Sequence, residues 1–206
     1  PGIEAVMVRP QEALREYERA TRLAPTSAEF RWNRALCLLL AGDFEEGFVE
    51  YDSRLERGAA KGSPRRLPPW DGTSIPSSTL LLRTEQGFGD TIQFVRFLPQ
   101  VRARVGRVVV ECNPRLVDLL RSAQGVAAAD IVARGDATSA DFEAQLPSVP
   151  GLLRTTATTL PCAVPYLAPD PARVGTWRQR LAGPGLRVGL VWQGNPDFEG
   201  EPLRSP

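Results

Sequence analysis

Short apolar runs alternate with helical segments along the second part of the chain. The runs that fit buried strands are residues 80–82, 108–110, 130–132, 142–146 and 186–192. Between and around them, the segments with helical periodicity are 90–104, 114–122 and 171–181. Parallel strands are buried on both faces, and each connection between them needs a crossover that is usually a helix. The alternation therefore predicts an α/β fold with a Rossmann-like parallel sheet over residues 79–206.

Residues 1–57 have a different pattern, which is helical in period and poor in glycine. Pro25 ends one helical segment, and the turn at residues 41–43 separates two more. The last of these segments carries an aromatic stripe of Phe44, Phe48 and Tyr51 at spacings of three and four. The pattern predicts helical hairpins that precede the sheet.

This helical segment resembles the tetratricopeptide repeat family, whose unit is about 34 residues long. Ala28 opens a repeat in that alignment. Further positions that match are Asn33, Ala35, Gly42, Asp43, Phe44, Gly47 and Tyr51, and in the preceding repeat Ala13, Tyr17, Ala20 and Pro25. The resemblance implies a longer array before Pro1 and the binding of a protein or peptide by the repeat helices. A plain helical hairpin is the alternative.

Residues 58–78 differ in composition from both flanking parts. They are rich in glycine, proline, serine and arginine, and Pro64, Pro68, Pro69 and Pro76 prevent a long helix. We therefore expect a linker here. Trp70 is expected to pack this linker onto the α/β domain.

The charge balance and the missing residue types exclude several function classes. The 25 basic residues face 24 acidic ones, so no net field attracts a polyanion, and we expect no nucleic-acid partner. The chain has no histidine, which excludes the Ser-His-Asp triad, and we expect no metal. Its one lysine, Lys61, lies outside any phosphate-loop motif.

Cysteine spacing and hydropathy indicate the compartment. Cys37, Cys112 and Cys162 lie too far apart in the sequence for a CxxC motif or a disulfide framework. The longest apolar run, residues 36–41, is too short to cross a bilayer. We therefore expect a cytoplasmic protein with no transmembrane segment.

Two glycine-containing loops follow predicted strands, at residues 85–90 and 193–205. Ligands of such sheets lie outside the carboxyl ends of the strands, so these loops are the candidate sites. The first loop is not a dinucleotide fingerprint, because Ile92 occupies the place of the third glycine after Gly87 and Gly89. A nicotinamide-dependent dehydrogenase is thereby disfavoured.

Asp90 has two interpretations that the sequence leaves open. It is a suitable helix N-cap, with Gln93 three residues later as in a capping box. It is also a carboxylate at the mouth of a glycine-containing loop, where it could accept a proton from an attacking sugar hydroxyl. One residue can serve both purposes.

Three strings in this part resemble a bacterial glycosyltransferase-like family. They are TLLLRTEQGFGDTIQFVRFLP, GRVVVECNPRLVDLL, and LRVGLVWQGNP together with LRSP. In that family tetratricopeptide repeats precede a GT-B domain related to protein O-GlcNAc transferases and to ADP-heptose:lipopolysaccharide heptosyltransferases. The resemblance covers residues 13–206. It implies that residues 79–206 are the acceptor-side, N-terminal half of a GT-B fold.

The resemblance also implies an activity and site residues. The parent protein would transfer a sugar from a nucleotide-sugar, as a substrate rather than a cofactor, to a protein or glycan acceptor. Asp90 falls on the position proposed as the base in heptosyltransferases. The other residues placed along the cleft, as candidate substrate-binding residues, are Gln86, Gly87, Gly89, Thr91, Gly194, Asn195, Arg204 and Ser205. Arg204 has a solvated surface arginine as its alternative.

Two departures from the family limit these implications. Many relatives have a histidine after the Gly-Asn-Pro string, where this chain has Phe198, so no histidine-dependent step carries over. We also expect the donor domain to lie beyond Pro206, so residues 1–206 alone would be inactive. The alternative function is a non-catalytic repeat scaffold for protein–protein interaction.

Overall fold

The structure is a computed structural model that describes residues 9–57, 67–85, 87–136 and 139–190. It divides into two compact units, residues 1–168 and residues 169–206. The first unit contains a helical segment and a four-stranded sheet. The second contains the helix α8 (Pro171–Arg180), which begins after Asp170, whose carboxylate accepts the Arg173 amide N–H.

Three helices open the described part of the first unit. They are α1 (Pro10–Leu23), α2 (Ala28–Ala41) and α3 (Phe44–Glu50), and α3 runs directly into a 3₁₀ turn, Tyr51–Leu55. Gly42 ends α2 in the left-handed conformation, with φ 88°, which favours a residue without a side chain. The predicted helical segments and the turn at residues 41–43 are therefore confirmed.

Small residues let these helices approach each other closely. Ala35 is fully buried on α2. A Cβ atom at Gly47 on α3 would lie only 2.9 Å from Cγ of Leu39. On the other side of α2, Cys37 forms a small buried cluster with Ala13 and Tyr17 of α1. The helices therefore form two packed pairs, α1 with α2 and α2 with α3.

In the part of the chain that the structure describes, the sheet has four strands, all parallel: β1 (Ile75–Arg83), β2 (Val105–Cys112), β3 (Ile131–Ala133) and β4 (Phe142–Gln145). Their spatial order is β3-β2-β1-β4. The strand β1 is central, since it pairs with β2 on one side and β4 on the other. The predicted α/β class and parallel sheet are confirmed, and the strand order is consistent with a Rossmann-like domain.

Helices connect the strands and cover the sheet. After β1 come α4 (Phe88–Phe94), a 3₁₀ turn and α5 (Leu98–Arg102); after β2 comes α6 (Val117–Leu120). One apolar face of the α4–α5 stretch is buried through Val95, Leu98 and Val101, as the helical period predicts. After β4 a 3₁₀ turn, Leu146–Ser148, leads into α7 (Val149–Leu152), which packs on α3.

The core lies between these helices and the sheet. Its fully buried members include Leu80 and Leu82 of β1 and Val110 of β2. Burial of each such side chain contributes about 1.5–3 kcal/mol. Phe48 of α3 belongs to the same cluster, so the helical segment and the sheet share one core.

The predicted linker is shorter than the sequence suggests. The strand β1 begins at Ile75, inside the predicted range 58–78, because its first residues pair with β2 at Val105. Trp70 is buried in the main core, and its indole N–H donates to the carbonyl of Thr73 at 2.9 Å. The expectation that Trp70 packs this segment onto the domain is confirmed. Residues 58–66 lie outside the described residues.

The strand predicted over residues 186–192 is wrong for the part that the structure describes. Residues 186–190 form no strand, and Leu186, Val188 and Leu190 are exposed. A strand needs a neighbour to satisfy its backbone groups, and the described part of the second unit contains no strand that could pair with this segment. Residues 191 and 192 are outside the described ranges.

Within the described residues, no helix has both the length and the apolar character required to cross a membrane.

We predict that Gly151→Ala lowers the free energy of unfolding by about 1–3 kcal/mol. A Cβ atom at Gly151 would lie 2.6 Å from the carbonyl oxygen of Phe48, so α7 and α3 would have to separate. Urea unfolding of both proteins measures the change. Gly175→Ala is the matched control, because that helical glycine has no atom within 4 Å of the added carbon. Equal stability of the wild type and Gly151→Ala would contradict the close packing.

We also predict that Cys162 alone reacts rapidly with a thiol reagent in the folded protein. Cys162 is exposed, whereas Cys37 and Cys112 are buried. Burial raises the pKa of the Cys37 thiol, and it raises the pKa of Cys112 to about 11. At mildly alkaline pH both buried thiols are therefore protonated and shielded. Mass spectrometry should find a single rapidly labelled cysteine, and all three labelled after unfolding in urea.

Candidate functional site

The strand order places one edge of the sheet at a topological switch point. From β1 the chain proceeds to β2 and β3 on one side, and it then returns to β4 on the other side. The segments that follow β1 and β4 therefore begin at the same edge, at Thr84 and at the 3₁₀ turn Leu146–Ser148. In open α/β sheets this is where ligands bind.

Asp90 lies at this edge, in the first turn of α4. It is not the N-cap that one sequence interpretation placed there, because the helix begins at Phe88 and Gly87 is the cap residue. The Asp90 carboxylate instead folds back onto Gly87, where a Cβ atom would overlap Oδ2 of Asp90. The side chain is exposed. Within the described residues, no hydrogen bond or ion pair involves this carboxylate.

The other predicted residues of the first loop differ in their roles. Thr91 is buried, and its hydroxyl donates to the carbonyl of Gly87 at 2.9 Å, which ties the loop to the helix. A Cβ atom at Gly87 would require the exposed Asp90 carboxylate to move away. Gly89 has open space around its Cα hydrogen, so packing does not require glycine there. The predicted site residues that lie outside the described residues are Gln86, Gly194, Asn195, Arg204 and Ser205.

A buried arginine that the sequence analysis missed lies beside this loop. Arg54, in the 3₁₀ turn after α3, is only 6% exposed. Its Nε and Nη2 atoms donate to Oε1 of Glu85 at 2.9 and 2.6 Å, and Nη1 donates to Oδ1 of Asp52 at 2.5 Å. Nη2 also donates to the Ser148 hydroxyl at 3.0 Å, and that hydroxyl donates to Asp52 at 2.6 Å. The four side chains, Asp52, Arg54, Glu85 and Ser148, form what we call the Arg54 network.

The network keeps the arginine charged. Burial lowers the pKa of Arg54, but the hydrogen bond to Glu85 and the nearby charges of Glu85 and Asp52 outweigh burial, so the pKa lies above its ordinary value. A buried guanidinium of this kind is stable only with its partners in place. A signal for it exists in the sequence. Arg54 follows Tyr51 by three residues, so helical spacing places a basic residue on the buried aromatic stripe.

Tyr51 links the network to Asp90. Burial raises the pKa of Tyr51 to about 12; Arg54 opposes the shift, and Asp90, Glu85 and Asp52 add to it. The Arg54 guanidinium lies 4.7 Å from the centre of the Tyr51 ring. Phe94, on α4, has its ring centre 6.5 Å from that of Tyr51. Tyr51 is therefore a neutral phenol, and so a hydrogen-bond donor, at neutral pH.

A second buried charge cluster spans three strands. Arg83 on β1 lies between Glu111 on β2 and Glu143 on β4, with N–O distances of 3.4 and 3.6 Å. From the segment after β3, Arg134 donates to the carbonyl oxygen of Thr84 at 2.6 Å. The start of the loop after β1 is thus held by Arg134 as well as by the Arg54 network.

These groups define what the edge can do chemically. An exposed carboxylate at the rim can accept a proton, and a neutral phenol nearby can donate a hydrogen bond. The surrounding charges are fixed in ion pairs and are not free for proton transfer. Among the described residues, no group of three or more Cys, Asp or Glu side chains is arranged to hold a metal ion.

Comparison with known proteins finds a distant relative of this chain. The chain is similar to Protein FlbA of Caulobacter vibrioides, with 30% identity over 208 aligned positions. The alignment covers 89% of this chain and 35% of FlbA, so the chain spans about a third of the length of that relative. No protein-family model matches the chain, and no solved structure matches it.

The raised pKa of Tyr51 predicts a pH dependence of stability. A free tyrosine ionises near pH 10.0 and Tyr51 near pH 12, so the folded state favours the neutral phenol. The resulting stabilisation is fully present below pH 10 and is lost as the pH rises towards 12. Tyr51→Phe should remove this part of the alkaline loss of stability.

Two measurements check this prediction. Urea unfolding on both sides of pH 10 gives the stability of the wild type and of Tyr51→Phe. Near-ultraviolet absorbance follows phenolate formation, and the difference between the two proteins isolates Tyr51. Tyr166→Phe controls for loss of a phenol elsewhere in the first unit. A difference spectrum that titrates near the ordinary tyrosine value would contradict the burial of Tyr51.

Proposed function

We propose that this chain is part of a glycosyltransferase-like protein, which transfers a sugar from a nucleotide-sugar donor to a protein or glycan acceptor. One observation carries the proposal. The exposed carboxylate of Asp90 lies at the switch-point edge of a parallel sheet, in the first turn of the helix that follows the central strand. Ligands of such sheets bind at that edge.

The chemistry of sugar transfer needs a proton acceptor at the attacking hydroxyl. Histidine, the commonest general base, is absent from the chain. A carboxylate within hydrogen-bond reach of the hydroxyl can take its place. Asp90 in this role would accept the hydroxyl proton as the oxygen forms its bond to the anomeric carbon and the nucleoside diphosphate leaves.

Among the acidic residues near this edge, Asp90 is the best candidate for that role. Glu85 and Asp52 are paired with Arg54, and Glu111 and Glu143 are buried beside Arg83. A carboxylate already bonded to a guanidinium is a weaker proton acceptor. Asp90 is exposed and makes no such pair within the described residues.

In this proposal residues 79–206 are the acceptor-side half of a GT-B fold. Gln86, Gly87, Gly89 and Thr91 would be the acceptor-binding residues of the loop after β1. The parallel order β3-β2-β1-β4 supports this assignment. The nucleotide-sugar is a substrate, and its diphosphate would be bound outside the described residues.

The helical segment would belong to a tetratricopeptide array that binds a protein or peptide. The close packing of Gly47 on Leu39 and the buried Ala35 support this proposal, because small residues at helix crossings are typical of such repeats. The same packing also fits a plain helical hairpin. Sequence upstream of Pro1 with further repeats of the same period would favour the array.

We predict that Asp90→Asn reduces sugar transfer about 10²–10⁴-fold in the complete natural protein that contains this chain, because the amide cannot accept the proton. The fold should be unchanged, since Asp90 is exposed. The assay follows nucleoside diphosphate release with a panel of nucleotide-sugars, and circular dichroism monitors folding.

Asp118→Asn is the matched control. Asp118 is likewise an exposed acid in the first turn of a sheet-covering helix, and its replacement should leave transfer unchanged. Full activity of Asp90→Asn would discard Asp90 as the base. If the wild type transfers no sugar but its helical segment binds peptides, the scaffold function replaces the enzyme.

A further inference from the structure

We propose that Arg54 is a positioning residue for the Asp90 site, through which the helical segment holds the loop after β1 in its working geometry. The inference rests on the proposed function for its catalytic consequence. Its structural part, that Arg54 holds the loop after β1 in place, can be tested without an activity assay.

The guanidinium of Arg54 bonds to groups from three separate segments. It reaches Asp52 and the Tyr51 carbonyl in its own turn, Glu85 in the loop after β1, and Ser148 in the turn after β4. The last two segments are the two sides of the switch point. A planar guanidinium with five donors in a fixed fork can satisfy such a set, whereas an ammonium group acts as a point charge.

The position of Glu85 explains why the contact matters for the loop. Glu85 lies two residues before Gly87, the cap of α4, and α4 carries Asp90 in its first turn. Thr84 and Glu85 are held from the other side, since Arg134 donates to both of their carbonyl oxygens. The loop is therefore fixed by two arginines, one from the helical segment and one from the segment after β3.

Aromatic packing reinforces the same geometry. Arg54 covers one face of the Tyr51 ring, and Trp32 lies 4.8 Å from that ring. Tyr51 contacts Phe94, which is four residues after Asp90 and so on the same side of α4. Displacement of Arg54 would break its ion pair with Glu85 in the loop. It would also remove its contact with the Tyr51 ring, which packs against Phe94 of α4.

Arg54 differs from the other arginines of the helical segment. Arg34 pairs with Glu46 and Glu50, and Arg57 pairs with Glu29, so these bonds stay inside the segment. Among the described ion pairs, only the one between Arg54 and Glu85 joins the helical segment to the sheet. Replacement of both partners of a buried ion pair by apolar residues is often neutral for stability, whereas loss of one partner is destabilising. The role that we assign to this pair is to fix the geometry of the loop.

The test is hydrogen–deuterium exchange of the loop in the wild type, Arg54→Gln and Arg54→Lys. The amides of Thr84 and Thr91 are bonded to the carbonyls of Glu111 and Gly87, so their exchange reports local opening. In Arg54→Gln we expect these amides to exchange about tenfold faster relative to the amides inside the strands, whose exchange reports any loss of global stability. Arg54→Lys should restore only part of the protection. Arg34→Gln, which breaks pairs inside the helical segment, should not affect the loop.

Kinetics of the complete protein give the second measurement. We expect Arg54→Gln to lower kcat about tenfold or more with a smaller change in KM, because a misplaced base affects the chemical step more than binding. If Arg54→Gln does not fold, Glu85→Gln replaces it, since this variant removes only the charge that Arg54 holds in the loop. Its loop exchange should then rise in the same way.

The outcomes separate this inference from the proposed function. A folded Arg54→Gln, or its Glu85→Gln substitute, with unchanged loop exchange overturns the inference, whatever the activity. Faster loop exchange with an unchanged kcat also overturns it, provided that Asp90→Asn is inactive. Faster exchange in a protein whose wild type transfers no sugar leaves Arg54 as the residue that positions the loop and discards the reaction.

Discussion

The pairing of β1 with strands on both of its sides is the constraint on which the other features depend. Leu80–Arg83 bond to β2 and β4 at once, and this central position buries Leu80 and Leu82 completely. It also creates the switch point, because the chain must leave β1 on one side and return on the other. Glu85 lies in the loop at this end of β1, Asp90 lies in the helix that follows it, and Arg54 and Arg134 bond to the loop.

Two buried arginines lie at this edge of the sheet, and each is paired with carboxylates. Arg134 is exposed and binds the loop after β1 through backbone carbonyl oxygens. Arg54 and Arg83 are buried, and their partners are carboxylates: Glu85 for Arg54, and Glu111 and Glu143 for Arg83. Partners within hydrogen-bond reach offset the cost of removing these guanidinium groups from water. Asp90, on the rim, is exposed and makes no such pair within the described residues, which is why we propose it as the base. The acidic residues that pair with arginine thus stabilise the structure, and the proposed chemistry uses the acidic residue that does not.

Most of the fold is predictable from the sequence, and the exceptions have physical reasons. The strands at β1–β4 and the α4–α5 stretch follow from local apolar patterns that a parallel sheet imposes. The pattern at residues 186–190 is equally apolar, yet these residues form no strand in the described structure, since a strand depends on a partner that local pattern does not reveal. One of the two interpretations of Asp90, the N-cap suggested by its residue type and by Gln93, is wrong, because the helix starts two residues earlier, at Phe88.

By itself, the sequence determined the α/β class, and it indicated the loop after β1 as the candidate site and Asp90 as the proposed base. Only the tertiary structure brought Tyr51, Arg54 and Ser148 to that loop. Ser148 lies 94 residues from Arg54 along the chain. Periodicity reports which face of one element is buried, whereas contacts between distant elements depend on strand order and on how a helical segment packs against the sheet.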